Sequence, residues 1–143
     1  MDPSALDFLQ HLLATPGPSG YEQPVQEIVR HYAGAFSDEI TTDCHGNVVL
    51  SLNPRAELRL LLAGHCDQIG LLVSYIDPEG FLYAQTIGGW DAQQLLGQLM
   101  AIWTRQGPIT AVISRKPIHL LTEEERKQVV RDRDLWLDIG ASD

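Results

Sequence analysis

The sequence predicts an α/β fold in two structural units, and three observations carry that expectation. Two stretches of helical periodicity open the chain, a tight-turn signal separates two short strand-like runs, and a near-continuous apolar segment follows from Leu58 to Ala63. A strand of that last kind is apolar along its whole length when helices cover both of its faces, so helices and sheet are expected to stack in layers. Beyond residue 70 hairpin signals replace helical periods. The change of pattern puts one unit at residues 1–70 and a second at 71–143, with no flexible linker between them.

In chain order, Leu6, Leu9, Leu12 and Leu13 recur at helical spacing, with Ser4 as the expected N-cap. Pro16-Gly17-Pro18-Ser19-Gly20 stops that helix, because proline cannot continue it and glycine accepts positive φ. Val25, Ile28, Val29 and Tyr32 mark one face of a second helix, closed by Gly34. Glu39 to Asp43 and Val48 to Leu52 read as strands around the turn Cys44-His45-Gly46-Asn47. Leu58 to Ala63 is the expected buried strand. Leu71 to Ile76 and Phe81 to Thr86 flank Asp77-Pro78-Glu79-Gly80, with proline and glycine at the second and fourth turn positions. Leu99 to Thr104 and Ile109 to Ser114 form another hairpin around Gly107-Pro108. Thr122 and Glu125 have the spacing of a capping box for a helix over Glu123 to Arg131, and the Glu123-Glu124-Glu125 run suits a helix amino terminus. A last strand covers Leu135 to Ile139.

Composition narrows the function classes. The 143 residues carry 10 Lys plus Arg against 19 Asp plus Glu, a net charge of −9. Such a chain offers no basic face to nucleic acid. No apolar run approaches the ~20 residues of a membrane span, so no membrane partner is expected. The amino terminus shows no secretory signal, and Cys44 and Cys66 make no disulfide framework, so the expected compartment is the reducing cytoplasm.

Chemistry concentrates at Gly64-His65-Cys66-Asp67, just after the expected buried strand, where ligands bind in open α/β sheets. Histidine is a common zinc ligand, and Asp67 is placed to orient its ring. Read by itself, His-x-Asp fits a hydrogen-bonded histidine at a strand end better than a metal ligand. A zinc site of Cys44, His45, His65 and Cys66 is disfavoured, since adjacent strand residues point to opposite faces and buried thiols behave as small hydrophobes. His11, His31 and His119 have no carboxylate motif nearby, and Trp90, Trp103 and Trp136 read as core or interface anchors.

Several segments occur in an order that resembles the tetrahedral glutamyl and deblocking aminopeptidase family. They are Pro16 to Glu22, Asp43-x-x-Gly46-Asn47, Gly64 to Gly70, Gly88-Gly89-Trp90-Asp91, Leu96-Gly97-Gln98, Arg115 to Leu121, and Leu137-Asp138-Ile139-Gly140-Ala141. The resemblance implies the amino-terminal part of an α/β zinc-exopeptidase domain, followed by a small β-barrel insertion domain that associates subunits. It also implies a homo-oligomer acting on peptide substrates with two divalent metal ions, zinc or cobalt. By the same resemblance His65 is the first metal ligand and Asp67 the catalytic aspartate beside it.

Two departures from the family pattern stand out. Gln68 occupies a position where the family usually has Glu. The family's bridging Asp, its general-base Glu, the neighbouring ligand Glu and the final Asp and His ligands lie beyond Leu-Asp-Ile-Gly-Ala and have no counterpart in these 143 residues. Asp138 belongs to the barrel motif, not to that ligand set. One matched histidine falls short of the three protein ligands of a catalytic zinc site. The expectation is therefore an inactive amino-terminal portion of an aminopeptidase, or alternatively a noncatalytic oligomerisation module derived from one.

Overall fold

The computed structural model describes residues 2–141 and divides into two compact units, Met1–Gln68 and Ile69–Asp143. In the first unit α1 (Pro3–Ala14) starts two residues ahead of the start that a Ser4 cap would give. Asp2 is the N-cap, and Pro3 sits where its fixed φ suits a helix start. α2 (Gln23–Ala33) buries Val25 and Ala33 and ends at Gly34. Phe8 stacks on Tyr32 with ring centroids 4.1 Å apart, joining the two helices. No helix among the described residues is long and apolar enough to cross a membrane.

β1 (Glu39–Thr42) and β2 (Val48–Ser51) pair antiparallel in register Glu39 to Ser51 and Thr42 to Val48. The Asp43 carboxylate organises their turn. Its Oδ1 accepts the backbone N–H groups of His45 and Asn47, each at 2.9 Å, and its Oδ2 accepts the Asn47 side-chain amide at 2.8 Å. Those bonds, the Asn47 amide foremost, hold the Asp43 carboxyl below the usual aspartate range. Gly46, at φ 89°, takes the left-handed position a side chain would strain.

The expected buried strand over Leu58 to Ala63 does not form. Residues 59–67 form neither helix nor strand, and Leu58 and Leu62 are 86% and 84% exposed. The physical reason is the lack of neighbours. A strand satisfies its N–H and C=O groups through adjacent strands, and none pairs with this segment among the described residues.

The second unit is a five-stranded antiparallel sheet of order β3-β4-β7-β6-β5. Its strands are β3 (Gly70–Ile76), β4 (Leu82–Ile87), β5 (Leu99–Thr104), β6 (Gly107–Arg115) and β7 (Leu135–Asp138). A bulge interrupts β3 between Val73 and Tyr75. The β3–β4 turn matches the sequence reading: Asp77 Oδ1 accepts from Glu79 N and Phe81 N, and Gly80 has φ 88°. The β5–β6 turn is tighter than expected, because Thr104 pairs with Gly107 and places Gly107-Pro108 inside β6.

The core of this unit is Leu82, Leu95, Ala111, Ile113, Leu135 and Leu137, with Trp90 packed against it. Leu95 comes from α3 (Ala92–Leu95), a single turn capped by Asp91 that no sequence period announces. α4 (Glu123–Lys127) has the expected capping box, Thr122 Oγ1 accepting from Glu125 N at 3.2 Å and Glu125 Oε2 from Thr122 N at 2.7 Å. It ends four residues before Arg131, as Gln128 turns extended ahead of the β-branched pair Val129-Val130. Two 3-10 turns, Ile118–Leu120 and Asp132–Asp134, complete the unit; the first carries His119.

Ile113 is 2% exposed at the centre of this core. Ile113→Ala is expected to cost the second unit about 2–5 kcal/mol, measured by urea unfolding. Leu61→Ala, on the exposed segment, is expected to fall within about 0.5 kcal/mol of the parent. Equal costs at the two positions would contradict this distribution of packing.

Candidate metal-binding dyad

The candidate site is built on a loop docked by backbone. Gly17 is buried against α2, and a Cβ added there would meet Val25 Cγ1 at 2.9 Å. The absence of a side chain is what lets the Pro16 to Gly20 loop lie flat on the helix. Two backbone bonds then tie the loop to the end of the exposed segment, Gln68 N donating to Gly17 O at 2.7 Å and Ser19 N to Gln68 O at 3.3 Å. They form a parallel bridge between Pro18 and Gln68. Gly20 turns the chain at φ 90°, and its N–H donates to Glu22 Oε1 at 2.6 Å.

This docking brings Ser19 to Asp67 across 48 residues of sequence, with Ser19 Oγ donating to Asp67 Oδ2 at 2.6 Å. The other oxygen, Oδ1, lies 2.9 Å from His65 Nδ1. A proton on Nδ1 makes that contact a hydrogen bond and leaves Nε2 with a free lone pair. The His65 side chain is 85% exposed, so the ring faces solvent rather than hydrocarbon. The Ser19 hydroxyl, and after it the His65 ring, hold the Asp67 carboxyl below the usual aspartate range. Asp67 is thus a carboxylate at neutral pH, as a ring-orienting group must be.

His65 and Asp67, the two site residues expected from the sequence, therefore meet. Sequence reasoning missed Ser19, which no local spacing could connect to Asp67. The thiol of Cys66 lies between them in sequence but is half-buried; that burial, and then the Asp67 charge, push its pKa up and disfavour the reactive thiolate. Cys44 and His45 contact each other at 3.4 Å on the β1–β2 turn. Among the described residues no three His, Cys, Asp or Glu side chains converge as a metal cage. His11, expected to lack a carboxylate neighbour, lies 3.4 Å from Asp7 one turn back in α1. Trp90 Nε1 donates to Gly70 O at 2.9 Å, whereas Trp103 is half exposed.

Comparison with known proteins places this dyad in context. Residues 46–143 match the family model described as M42 glutamyl aminopeptidase. The chain is 31% identical over 138 residues to the lysyl aminopeptidase of Pyrococcus furiosus, covering 95% of this chain and 40% of that protein. Among solved structures it is similar to the TET aminopeptidase of Thaumarchaeota archaeon SCGC AB-539-E09, with TM-score 0.91 and 39% identity over 99% of this chain and 39% of that one. It is also similar to the TET1 peptidase of Pyrococcus horikoshii, which assembles into a tetrahedron or a large octahedral shell (TM-score 0.81, 34% identity, 96% and 41% coverage). The chain spans about two fifths of the length of these relatives.

Removing the Ser19 hydroxyl is expected to raise the Asp67 pKa toward its ordinary value of 3.8, as read by carboxyl carbon NMR titration of Ser19→Ala. The lowered folded pKa stabilises the docked loop at pH above that ordinary value. This contribution is lost as pH falls through the folded value. An unchanged Asp67 titration in Ser19→Ala would contradict the assignment.

Proposed function

Because the chain belongs to the M42 glutamyl aminopeptidase family, we propose that it is the amino-terminal portion of a metal-dependent aminopeptidase that hydrolyses amino-terminal residues from peptides. The single observation that carries the reading is the exposed His65 ring held by Asp67. Carboxylate–histidine pairs of this kind fix the tautomer and orientation of metal-ligating imidazoles. His65 would bind through Nε2 one of two divalent ions, zinc or cobalt, in the complete enzyme. Such ions polarise the scissile carbonyl and lower the pKa of bound water.

The chain's own residues do the positioning. Asp67 fixes the ring by accepting at Nδ1 and stays ionised through the Ser19 bond. A catalytic zinc takes three protein ligands and an open position, and His65 with Asp67 supplies one ligand and its orienting partner. The remaining ligands and the general base belong, on this reading, to the polypeptide that the longer relatives carry beyond this span. The same polypeptide would pair with residues 58–64 and cover Leu58, Leu60, Leu61 and Leu62.

The first unit, through Gln68, is on this reading part of the catalytic domain, and the five-stranded sheet is the family's small β-barrel domain. Its exposed Leu72, Ile76, Leu99 and Trp103 form the association surface of a cytoplasmic homo-oligomer. A second reading keeps only that association role. It is favoured by the placement of the core cluster entirely within residues 69–143.

The 143-residue chain is expected to release nothing from glutamyl, aspartyl or leucyl chromogenic substrates with added zinc or cobalt. It is expected to bind one cobalt ion weakly, with the binding lost in His65→Ala. Metal-dependent turnover by the pure chain would overturn the predicted inactivity. A metal-free oligomer in light scattering, with cobalt binding indifferent to His65, would favour the association module.

A further inference from the structure

Along β7, Leu135 and Leu137 turn into the core, and the intervening Trp136 points to the other side of the strand. There Trp136 and Tyr83, with Glu125 of α4 and Arg133 and Asp134 of the second 3-10 turn, line an open-mouthed cavity of about 330 Å³. Ligand pockets occupy ~300–1,000 Å³. Its lining is unusual for so acidic a chain. Four of the chain's ten Lys and Arg residues line it: Arg115, Lys116, Arg131 and Arg133.

Lys116 is already engaged, its Nζ lying 3.2 Å from Glu125 Oε1. None of the three guanidinium groups forms an ion pair among the described residues. Asp134 is the other acid in the lining, and its Oδ2 accepts the Arg131 backbone N–H at 3.2 Å. Counted over the lining side chains, four cationic groups stand against the two carboxylates of Glu125 and Asp134, a surplus of two positive charges. Like charges gathered at one cavity repel, and a counter-charge inside relieves that repulsion.

We propose that this cavity binds a phosphoryl dianion. Guanidinium forks match phosphate oxygens in bidentate geometry, and the two uncompensated charges match a dianion rather than a monocarboxylate. The surrounding net charge of −9 repels extended polyanions and so favours a small ligand. The dianion could arrive as free phosphate or as a monoester. Apolar lining from Leu121, Val129 and Trp136 gives a monoester's organic body a surface to cover.

The test is titration of the 143-residue chain with phenyl phosphate, inorganic phosphate and benzoate, followed by amide NMR. Phenyl phosphate is expected to give saturable shifts in residues 131–136, and benzoate to bind about tenfold more weakly. Weaker binding of inorganic phosphate at the same amides identifies the monoester as the better ligand; equal binding identifies free phosphate. Arg133→Gln and Arg115→Gln are each expected to cut affinity about tenfold. Arg133→Gln alters an exposed side chain and leaves the sheet intact. Binding should also weaken from pH 8 to pH 5, as the ligand loses its second charge near pH ~6. No saturable shift by ~10 mM, affinity unmoved by either arginine variant, or benzoate binding as tightly as phenyl phosphate would overturn the proposal.

Discussion

The contact on which the site depends is the docking of the Pro16 to Gly20 loop between α2 and Gln68. Val25 is fully buried beneath Gly17, and burying a valine side chain stabilises by about 1.5–3 kcal/mol. Each hydrogen bond that follows contributes only about 0.5–1.5 kcal/mol net. Packing therefore decides where the loop lies, and the polar contacts decide how it is oriented. Once Gly17 O accepts from Gln68, Ser19 is delivered to Asp67 and Asp67 to the His65 ring. An imidazole that is otherwise wholly exposed thereby acquires a defined direction.

The two units contrast in how they are stabilised. Leu82, Leu95, Ala111, Ile113, Leu135 and Leu137 interlock across β4, α3, β6 and β7. The first unit buries only Val25 and Ala33 among its apolar side chains in the described residues. Its leucine-rich segment at 58–62 lies open to water. Apolar surface left in water forgoes about 25 cal/mol for each Å² that burial would remove. The curated relatives that the chain matches are some two and a half times longer than this span.

Most helices and hairpins were legible in the sequence because their signals are local. The period of Val25, Ile28, Val29 and Tyr32, the Asp77 to Gly80 turn and the Thr122–Glu125 box each act within a few residues. Residues 58–63 misled because apolar sequence reports a capacity for burial, whereas burial itself needs partner strands. α3 is too short to show a period, and α4 stopped early because Val129-Val130 favour extended backbone. At the site, the contact of His65 with Asp67 was legible from a two-residue spacing, whereas a metal role for His65 came only from the family resemblance. Ser19 was not, since its contact is made only when the loop packs on Val25 and pairs with Gln68.

With the proton on Nδ1, the contact to Asp67 locks the His65 ring and turns a bare Nε2 toward solvent. Nitrogen NMR of the labelled imidazole at neutral pH reads this directly, since the two tautomers give different ring-nitrogen shifts. A dominant Nδ1–H tautomer that persists in the wild-type chain and becomes an averaged mixture in Asp67→Ala is the expected result. A protonated Nε2, or an average mixture already present in the wild-type chain, would contradict it.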